Sequence, residues 1–475
     1  MKMDRRQFLL TSSAIALSGS WTRAAIRPKE FISRRPVPEA RKFTSNPLEA
    51  VIDSVKSSIA NDELKWLFEN CFPNTLDTTV SFDDTGEHPD TFVITGDIDA
   101  MWLRDSSAQV WPYLPYMDRD PKLQRLVAGV INQQTKCILI DPYANAFFKD
   151  NRQSQWHNDR TEMKPGVHER KWEIDSLCYT IRLAYGYYDY AKDKAPFGND
   201  WLKAAGLIVQ TFKEQQRKEG KGPYHFQRIG NGANDTQCCD GYGKPVNPVG
   251  LICSSFRPSD DSTDYLFLIP SNYFAVASLR QLAQLLTEIY PGNSLIADAS
   301  NLANEVEAAL NEHAIVEHPH LDKIVAYETD GNGHTNLMDD ANIPALLSLP
   351  YLNALQVSDP LYQNTRKFAL STYNPWFFKG SVAEGIGGPH VGKDMIWPMG
   401  IIMRAMTSTS DEEITQCLKM LVKTHAGTGF MHEAFNKNNP ERYTRKWFAW
   451  ANTLFGELIL KLYDERPALL AQQGF

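Results

Sequence analysis

The sequence lacks the features that mark several large classes of protein. Its 475 residues carry a formal net charge of -8 and no basic block beyond the N-terminus, which argues against nucleic acid as a partner. No apolar run after the N-terminal segment is long enough to span a bilayer. P-loop, G-x-S-x-G, H-E-x-x-H and EF-hand motifs do not occur in it. We therefore expect a globular protein that uses neither a metal nor a cofactor.

Cysteine is also scarce and gives no sign of chemistry. The seven cysteines form no C-x-x-C pair and no spacing with histidine that is typical of a metal site. Cys238 and Cys239 are adjacent, and in an oxidising compartment either could pair with Cys253 across the intervening loop. The alternative, that all seven are free and mostly buried, is at least as well supported.

The N-terminus resembles a twin-arginine export signal. Paired arginines, Arg5 and Arg6, precede an apolar run that ends at Leu17, and the small residues Ala24-Ala25 follow. We expect residues 1–25 to be this signal and the protein to be exported to the periplasm. We expect no stable membrane insertion after export, although an uncleaved signal would act as an anchor.

The remaining chain predicts one helical domain behind a linker. Residues 26–47 contain several prolines and indicate an extended linker, and residues 48–475 are expected to form a single domain. Apolar residues recur at helical spacing over 48–71, which predicts one helix. Residues 75–94 indicate short strands or loop, and Lys323–Thr335 indicates a hairpin that turns at Asp330–Gly333.

One pattern recurs six times along this domain. A loop with acidic or aromatic residues opens into an apolar helix, and a more polar helix follows. The openings lie at Asp97, Glu173, Asp260, Asp339, Asp394 and Trp447, and the clearest outer helices at Leu282–Ile289, Leu302–Leu310, Leu361–Leu370 and Glu412–Val422. Six antiparallel helix pairs close into a double-layered ring, so we expect an all-α (α/α)6 toroid with a few short strands and a central cleft.

The stretch Thr95–Trp111 is the most concentrated of these openings. Asp97, Trp102, Arg104 and Asp105 lie within it, interleaved with apolar residues. A loop that enters a helix at the floor of a polar cleft accounts for this mixture, since Arg and Asp bind hydroxyl groups and Trp supplies a flat apolar face. The alternative is a structural Arg–Asp pair at a helix start.

Two other carboxylates stand in unlike surroundings. Asp260 and Asp261 follow Arg257 in FRPSDD, whereas Glu433 lies between His432 and an aromatic residue in HEAF. A cation lowers the pKa of a neighbouring carboxyl and desolvation raises it. Hydrolysis of a glycosidic bond needs such a pair, one carboxyl to protonate the leaving oxygen and one to activate water or attack the sugar. Taken singly, each carboxylate also suits a helix cap or a loop salt bridge.

Further residues are candidates for the rim of the cleft. The openings contain three histidines that suit hydroxyl ligands, His168, His390 and His432, although a lone histidine is more often structural. The long stretch 219–250 has no helical period, and we expect it to form a rim or lid of the cleft rather than a tolerated surface insertion.

Six motifs in order carry a resemblance to a known family. TGDIDAMWLRDS, KWEIDSLCY, SSFRPSDD with the downstream PSNYF, LMDDANIPALLSLPY, GIGGPH and GTGFMHEAF together resemble glycoside hydrolase family 125, from about residue 48 to the C-terminus. The resemblance implies an (α/α)6 fold and a metal-independent, inverting exo-mannosidase that favours α-1,6-linked mannose at the non-reducing end. It implies an Asp of RPSDD as the general acid, for which we choose Asp260, and Glu433 as the general base.

The openings and the resemblance together give a set of expected sugar contacts. These are Asp97, Trp102, Arg104, Asp105, His168, Arg257, Asp261, Asn272, Asp339, His390 and His432. The expected partners are α-mannoside oligosaccharides or fragments of N-glycan or mannan. Two alternatives remain at this point: another (α/α)6 exo-glycosidase, such as an α-glucosidase, and a non-catalytic periplasmic glycan-binding protein.

Overall fold

Helices dominate the structure, a computed structural model that describes residues 31–230 and 232–474. The predicted export signal, residues 1–25, lies outside the described residues, as does the first part of the predicted linker. The α-helices of the described part are α1 (Asn46–Ser58), α2 (Asp62–Cys71), α3 (Asn74–Thr78), α4 (Leu103–Val110), α5 (Pro121–Ile140), α6 (Ile174–Ala191), α7 (Asn199–Gln215), α8 (Ile269–Ile289), α9 (Leu295–His313), α10 (Pro360–Ala369), α11 (Pro398–Met406), α12 (Asp411–Thr424), α13 (Ala449–Glu465) and α14 (Pro467–Leu470).

The strands are short and antiparallel. They are β1 (Val80–Asp83), β2 (Asp90–Val93), β3 (Met101–Trp102), β4 (Ala146–Phe147), β5 (Val167–Glu169), β6 (Phe267–Leu268), β7 (Ile315–His318), β8 (Asp322–Val325), β9 (Glu328–Thr329), β10 (Thr335–Asn336), β11 (Phe377–Lys379), β12 (Glu384–Ile386), β13 (Met395–Ile396), β14 (Ala434–Asn436) and β15 (Asn439–Thr444). β1 pairs with β2, β7 with β8 and β11 with β12. The three-stranded sheets have the orders β3-β4-β5, β10-β9-β6 and β13-β14-β15.

The helices form two layers, as the recurring pattern predicted. α4 packs on α6, α6 on α8, α11 on α13, and α13 on α4, which gives five helices of an inner ring. α5, α7, α9, α12 and α2 pack outside this ring. Every residue of α4 is buried, whereas the outer α9 and α12 bury only one face, as amphipathic helices on the outside of a core do. This is the (α/α)6 arrangement.

The fourth inner position departs from the predicted apolar helix. Residues Leu346–Ser348 form only a short 3-10 turn there. Pro344 and Pro350 bracket this segment, and proline is not tolerated inside an α-helix because it lacks the N–H and clashes with the preceding turn. A 3-10 turn therefore takes the place of one inner α-helix, and it packs against α11 and α10.

Two other local predictions need correction. Leu282–Ile289 is the second half of α8, because no helix breaker occurs between Pro270 and Tyr290. Residues 48–71 form two helices, since Asn61 caps α2 by accepting the Leu64 N–H at 2.8 Å. Of the two alternatives for the cysteines, the structure has the second: all seven are free, and five of them, including Cys253, are buried. The hairpin turn at Asp330–Gly333 is confirmed by the pairing of β9 with β10.

The residues from 33 up to the start of α1 contact the domain closely. The Arg35 side chain is only 5% exposed and forms ion pairs with Asp77 at 2.8 Å and Glu49 at 2.5 Å. No helix among the described residues has the length and hydropathy that a membrane crossing requires.

The sheets position the loops that precede the inner helices. β3 runs directly into α4, β6 into α8, and β13 lies one residue before α11. These strands fix the entry of the chain into each helix, so the acidic openings converge at the N-terminal ends of the inner helices.

Candidate active site

A small cavity of about 50 Å³ lies at this convergence. It is lined by six of the residues that the sequence singled out: Trp102, Arg104, Asp105, Asp260, His390 and Glu433. They come from the openings before α4, α8, α11 and α13. The structure thus brings the two proposed catalytic carboxylates into one cavity, although they lie far apart in the chain.

Arg104 is the centre of a buried ionic network at the start of α4. Its guanidinium donates to Glu173 at 2.6 Å and to Asp175 and Asp260 at 3.1 Å each. Asp105 lies 3.6 Å away. Since the Arg104 side chain is only 3% exposed, the guanidinium holds these carboxylates in fixed positions below the cavity, and this position is not a simple helix cap.

Asp260 occupies a tight turn above this network. Its φ of 66° lies in the left-handed region, which is uncommon for a residue other than glycine and is a conformation often found at functional sites. Lys171 donates to its backbone carbonyl at 2.7 Å. Burial opposes ionisation of the Asp260 carboxyl, but the charges of Arg104 and Lys171 outweigh it and hold its pKa below the usual value.

Glu433 faces a second arginine. Arg445 approaches the Glu433 carboxylate at 3.5 Å, donates to the Thr95 carbonyl at 2.9 Å and forms an ion pair with Asp97. Its guanidinium lies 4.7 Å from the Phe448 ring centroid. Asp97 therefore contacts the site through Arg445 and does not line the cavity itself.

His390 adds a positive charge between the two carboxylates. Its Nδ1 lies 3.1 Å from Asp261 Oδ1. Burial disfavours the imidazolium, but the hydrogen bond to Asp261 and the charges of Asp261, Glu433 and Asp260 prevail and raise the pKa of His390 to about 9. His390 is thus a cation at neutral pH.

Aromatic rings form the apolar part of the wall. Trp102, Trp397, Phe448 and Trp450 line the cavity. The indole N–H groups of Trp102 and Trp397 are buried and have no hydrogen-bond partner within the described residues, and the same holds for Ser259 Oγ. Buried polar atoms are almost always hydrogen-bonded, so these atoms suit the hydroxyl groups of a sugar.

Three predicted sugar contacts lie outside the cavity and bond to the protein instead. Arg257 donates to Glu328 at 2.7 Å. The Asn272 amide is saturated by the backbone of Ile252 and Leu268. The Asp339 carboxylate accepts the N–H groups of Leu346 and Leu347, and burial raises its pKa to about 8. These three side chains stabilise the loops behind the site.

Two predicted histidines lie beside lining residues. His168 packs on Trp102 with centroids 5.1 Å apart, and His432 stacks on Tyr443 at 3.8 Å while its Nδ1 meets the Arg445 carbonyl at 3.1 Å. Burial lowers the pKa of both rings. They support Trp102 and Arg445 from behind.

Several lining and supporting residues were not among the predicted ones. The main ones are Asn342, Trp397, Arg445, Phe448 and Trp450 in the wall and Glu173 below it. Glu173 and Trp447 mark two of the six openings, so the sequence pattern pointed to this part of the chain. Nothing in the sequence marks Arg445, because its role depends on contacts with Asp97 and Glu433.

The described residues of the stretch 219–250 contribute nothing to the cavity lining, so they do not form the expected rim or lid. They pack behind the loop that carries Asp260 instead: Ser262 donates its N–H to the Asn234 carbonyl at 2.7 Å, and Lys171 bridges Asp235 and Asp260. No group of three or more metal-ligating side chains occurs within residues 31–230 and 232–474.

Comparison with known proteins agrees with this architecture. The model of the family of metal-independent alpha-mannosidases, GH125, matches residues 61–460. Meiotically up-regulated gene 157 protein of Schizosaccharomyces pombe is 41% identical over 470 residues, which cover 95% of this chain and 92% of that protein.

Solved structures show the same fold. A Streptococcus pneumoniae metal-independent alpha-mannosidase, in a non-productive substrate complex with α-1,6-mannobiose, is 38% identical with a TM-score of 0.86, covering 90% of this chain and 100% of that chain. A bacterial glucoamylase complexed with acarbose, only 12% identical, gives a TM-score of 0.51 over 90% of this chain and 58% of its own, and shows the fold alone. The chain belongs to glycoside hydrolase family 125, the metal-independent alpha-mannosidases, and is a glycoside hydrolase.

Proposed function

We propose that this enzyme is an exo-acting α-mannosidase that releases non-reducing terminal α-1,6-linked mannose with inversion of configuration. One observation carries the proposal: Asp260 and Glu433 line the same cavity, each held by its own arginine. The α-1,6-mannobiose bound by the Streptococcus pneumoniae relative supports the linkage. Mannose-containing oligosaccharides, such as fragments of N-glycan or mannan, are the proposed substrates.

The mechanism is a single displacement. Glu433 takes a proton from a water molecule, and this water attacks the anomeric carbon. Asp260 gives a proton to the glycosidic oxygen as the bond to the leaving sugar breaks. Arg104 fixes Asp260 and Arg445 fixes Glu433, so both carboxyl groups are positioned before substrate enters.

The cavity walls suit a single terminal sugar. Trp102 and Trp397 offer indole N–H groups and apolar faces, and Asp105 offers carboxylate oxygens, a combination that binds sugar hydroxyls and C–H faces together. Recognition of one end residue is what exo action requires.

The anomer of the first product tests the mechanism. α-1,6-Mannobiose is incubated with the enzyme and EDTA, and proton NMR is recorded before mutarotation. β-Mannose is expected at early times. Early α-mannose would mean retention and would overturn the roles of Asp260 and Glu433. A parallel panel of α-glucosides separates this enzyme from an (α/α)6 α-glucosidase, and binding without release of sugar would indicate a glycan-binding protein.

Replacement of the base is the second test. Glu433→Gln keeps the size of the side chain and removes the proton acceptor, so kcat is expected to fall by about 10³-fold or more. The circular dichroism spectrum and the thermal transition of the variant serve as the control for folding. Near-normal turnover in Glu433→Gln would refute the assignment of the base.

We also propose that the protein is exported through the twin-arginine pathway. The proposal rests on Arg5, Arg6 and the apolar run that follows them in the sequence. Cell fractionation of the native chain and of an Arg5→Lys, Arg6→Lys variant tests it. Export of both chains would contradict a twin-arginine signal.

A further inference from the structure

More carboxylates face Arg104 than one guanidinium can neutralise. Glu173, Asp175, Asp260 and Asp105 lie between 2.6 and 3.6 Å from it. The Glu173 and Asp175 side chains are 0% exposed. A buried carboxylate without its own cation is costly enough that the group takes up a proton instead.

Within the part of the chain that the structure describes, the other nearby cations are engaged by further carboxylates; Arg228, for example, pairs with Asp159, Glu169 and Asp235. The charged groups that face Glu173 and Asp260 from the surrounding elements are Arg104 and Asp105 on α4, Glu169 and Lys171 after β5, Asp175 on α6, Asp235 beside Lys171, His390 and Glu433. Lys171 is shared between Asp235 and Glu169, and His390 pairs with Asp261. At least one proton is therefore held among the carboxyl groups around Arg104.

The geometry decides which group holds it. The Glu173 and Asp260 carboxyl groups lie within hydrogen-bonding reach of each other, and the Asn145 amide donates to both at 3.4 Å. Two carboxylates in such contact cannot both ionise at low cost. Asp260 is 25% exposed and Glu173 is fully buried, so burial raises the pKa of Glu173 well above its usual value.

We propose that Glu173 stores the proton that Asp260 delivers to the leaving oxygen. The proposal rests on the proposed function and answers a difficulty in it. Beside Arg104 and Lys171, the Asp260 carboxyl is ionised at neutral pH and by itself has no proton to donate. Glu173 acts through Asp260 and does not touch the substrate.

The proton inventory balances over one turnover. Glu173 O–H transfers its proton to the Asp260 carboxylate, and Asp260 transfers this proton on to the glycosidic oxygen, which keeps the electron pair of the broken C–O bond. Glu433 gains the proton of the attacking water, whose oxygen forms the new C–O bond. After the sugars leave, Glu433 loses this proton to solvent and the Glu173–Asp260 pair regains one from solvent.

Glu173→Gln tests the proposal because glutamine has the shape of the protonated acid and cannot transfer a proton. With α-1,6-mannobiose, whose leaving group needs protonation, kcat/KM is expected to fall by about 10²- to 10⁴-fold. With 2,4-dinitrophenyl α-mannoside, whose leaving group needs none, it is expected to stay within about threefold of the wild type. The apparent pKa of the alkaline limb in the pH profile of kcat/KM is expected to decrease by about one unit or more, because Asp260 must then hold the proton without Glu173.

Two further variants keep the test decisive. Ser176 Oγ donates a hydrogen bond of 2.9 Å to Glu173, and this bond stabilises the ionised form of Glu173. Ser176→Ala removes it, so the apparent pKa of the alkaline limb of this variant should rise. This variant answers the question even if Glu173→Gln does not fold. Asp175→Asn, the matched control, also removes a carboxylate from Arg104, yet it should keep the wild-type ratio of kcat/KM for the two substrates.

The outcomes separate this inference from the proposed function. Asp260→Asn must abolish mannobiose hydrolysis; if it does not, the assignment of the acid fails. If Asp260→Asn is inactive while Glu173→Gln shows the wild-type alkaline limb and substrate ratio, only the role of Glu173 is overturned. An unchanged alkaline limb in Ser176→Ala overturns it too.

Discussion

The ion pair between His390 and Asp261 makes the stability of this enzyme depend on pH. His390→Asn is the informative change, because the asparagine amide can replace the Nδ1–H that faces Asp261 Oδ1 at 3.1 Å while it removes the charge. The pKa of His390 is raised from 6.5 to about 9. A raised folded-state pKa stabilises the protein fully below pH 6.5, and this contribution is lost as the pH rises through 9.

The size of the effect follows from this shift. A change of about 2.5 units corresponds to about 3.4 kcal/mol, but 38% of the His390 side chain is exposed, and solvent screening reduces this to about 1 to 2 kcal/mol. An unfolding entropy of about 2.1 cal/mol/K per residue over 475 residues converts it to about 1 to 2 °C in Tm.

Thermal unfolding of both proteins from pH 5.5 to pH 10 measures the effect. The wild type should melt about 1 to 2 °C above His390→Asn at pH 6, and the two curves should meet above pH 9. In the Asp261→Asn background the same substitution should have a much smaller effect. A difference in Tm that does not change between pH 6 and pH 10 would refute the reasoning.

Three more substitutions test residues that support the site. Arg445→Met removes the contact with Glu433, so kcat/KM should fall by about 10- to 100-fold through misplacement of the base, while circular dichroism reports an intact fold. Asn272→Ala leaves buried backbone groups unpaired and should lower the free energy of unfolding by about 1 to 3 kcal/mol, with kcat/KM unchanged. Arg35→Met leaves the buried Asp77 with only the longer ion pair to Arg41, at 3.7 Å, and should cost about 3 kcal/mol in urea denaturation, again with unchanged kcat/KM.

Each of these has an outcome that contradicts it. Wild-type kinetics in Arg445→Met would mean that Glu433 is positioned by other contacts. Loss of kcat/KM at unchanged stability in Asn272→Ala would restore this residue as a sugar contact. Arg152→Met is the control for Arg35, because its ion pair with Asp99 is exposed on both sides and should contribute less than about 1 kcal/mol. An equal loss in both variants would contradict a special role for Arg35.

The amino-acid sequence by itself determined the helical class and the kind of chemistry. The apolar period of α10 and α12 placed these helices within two residues of their observed bounds, because an amphipathic face is a local property of the chain. The same period found α9 but missed its first seven residues. The acidic openings predicted where carboxylates gather, because polar groups interleaved with aromatic residues suit neither a plain core nor a plain surface. The six motifs, in their order along the chain, then indicated the family.

Only the tertiary structure decided which of these residues work together. Arg257, Asn272 and Asp339 have the same side-chain chemistry as sugar contacts, yet folding turned them toward backbone and ionic partners behind the cavity. Glu173 gained its role from Asp260, and Arg445 gained its role by joining Glu433 to Asp97, which is remote from it in the sequence. A local pattern records the polarity of a residue, whereas burial, charge balance and hydrogen-bond partners arise only when distant segments pack together.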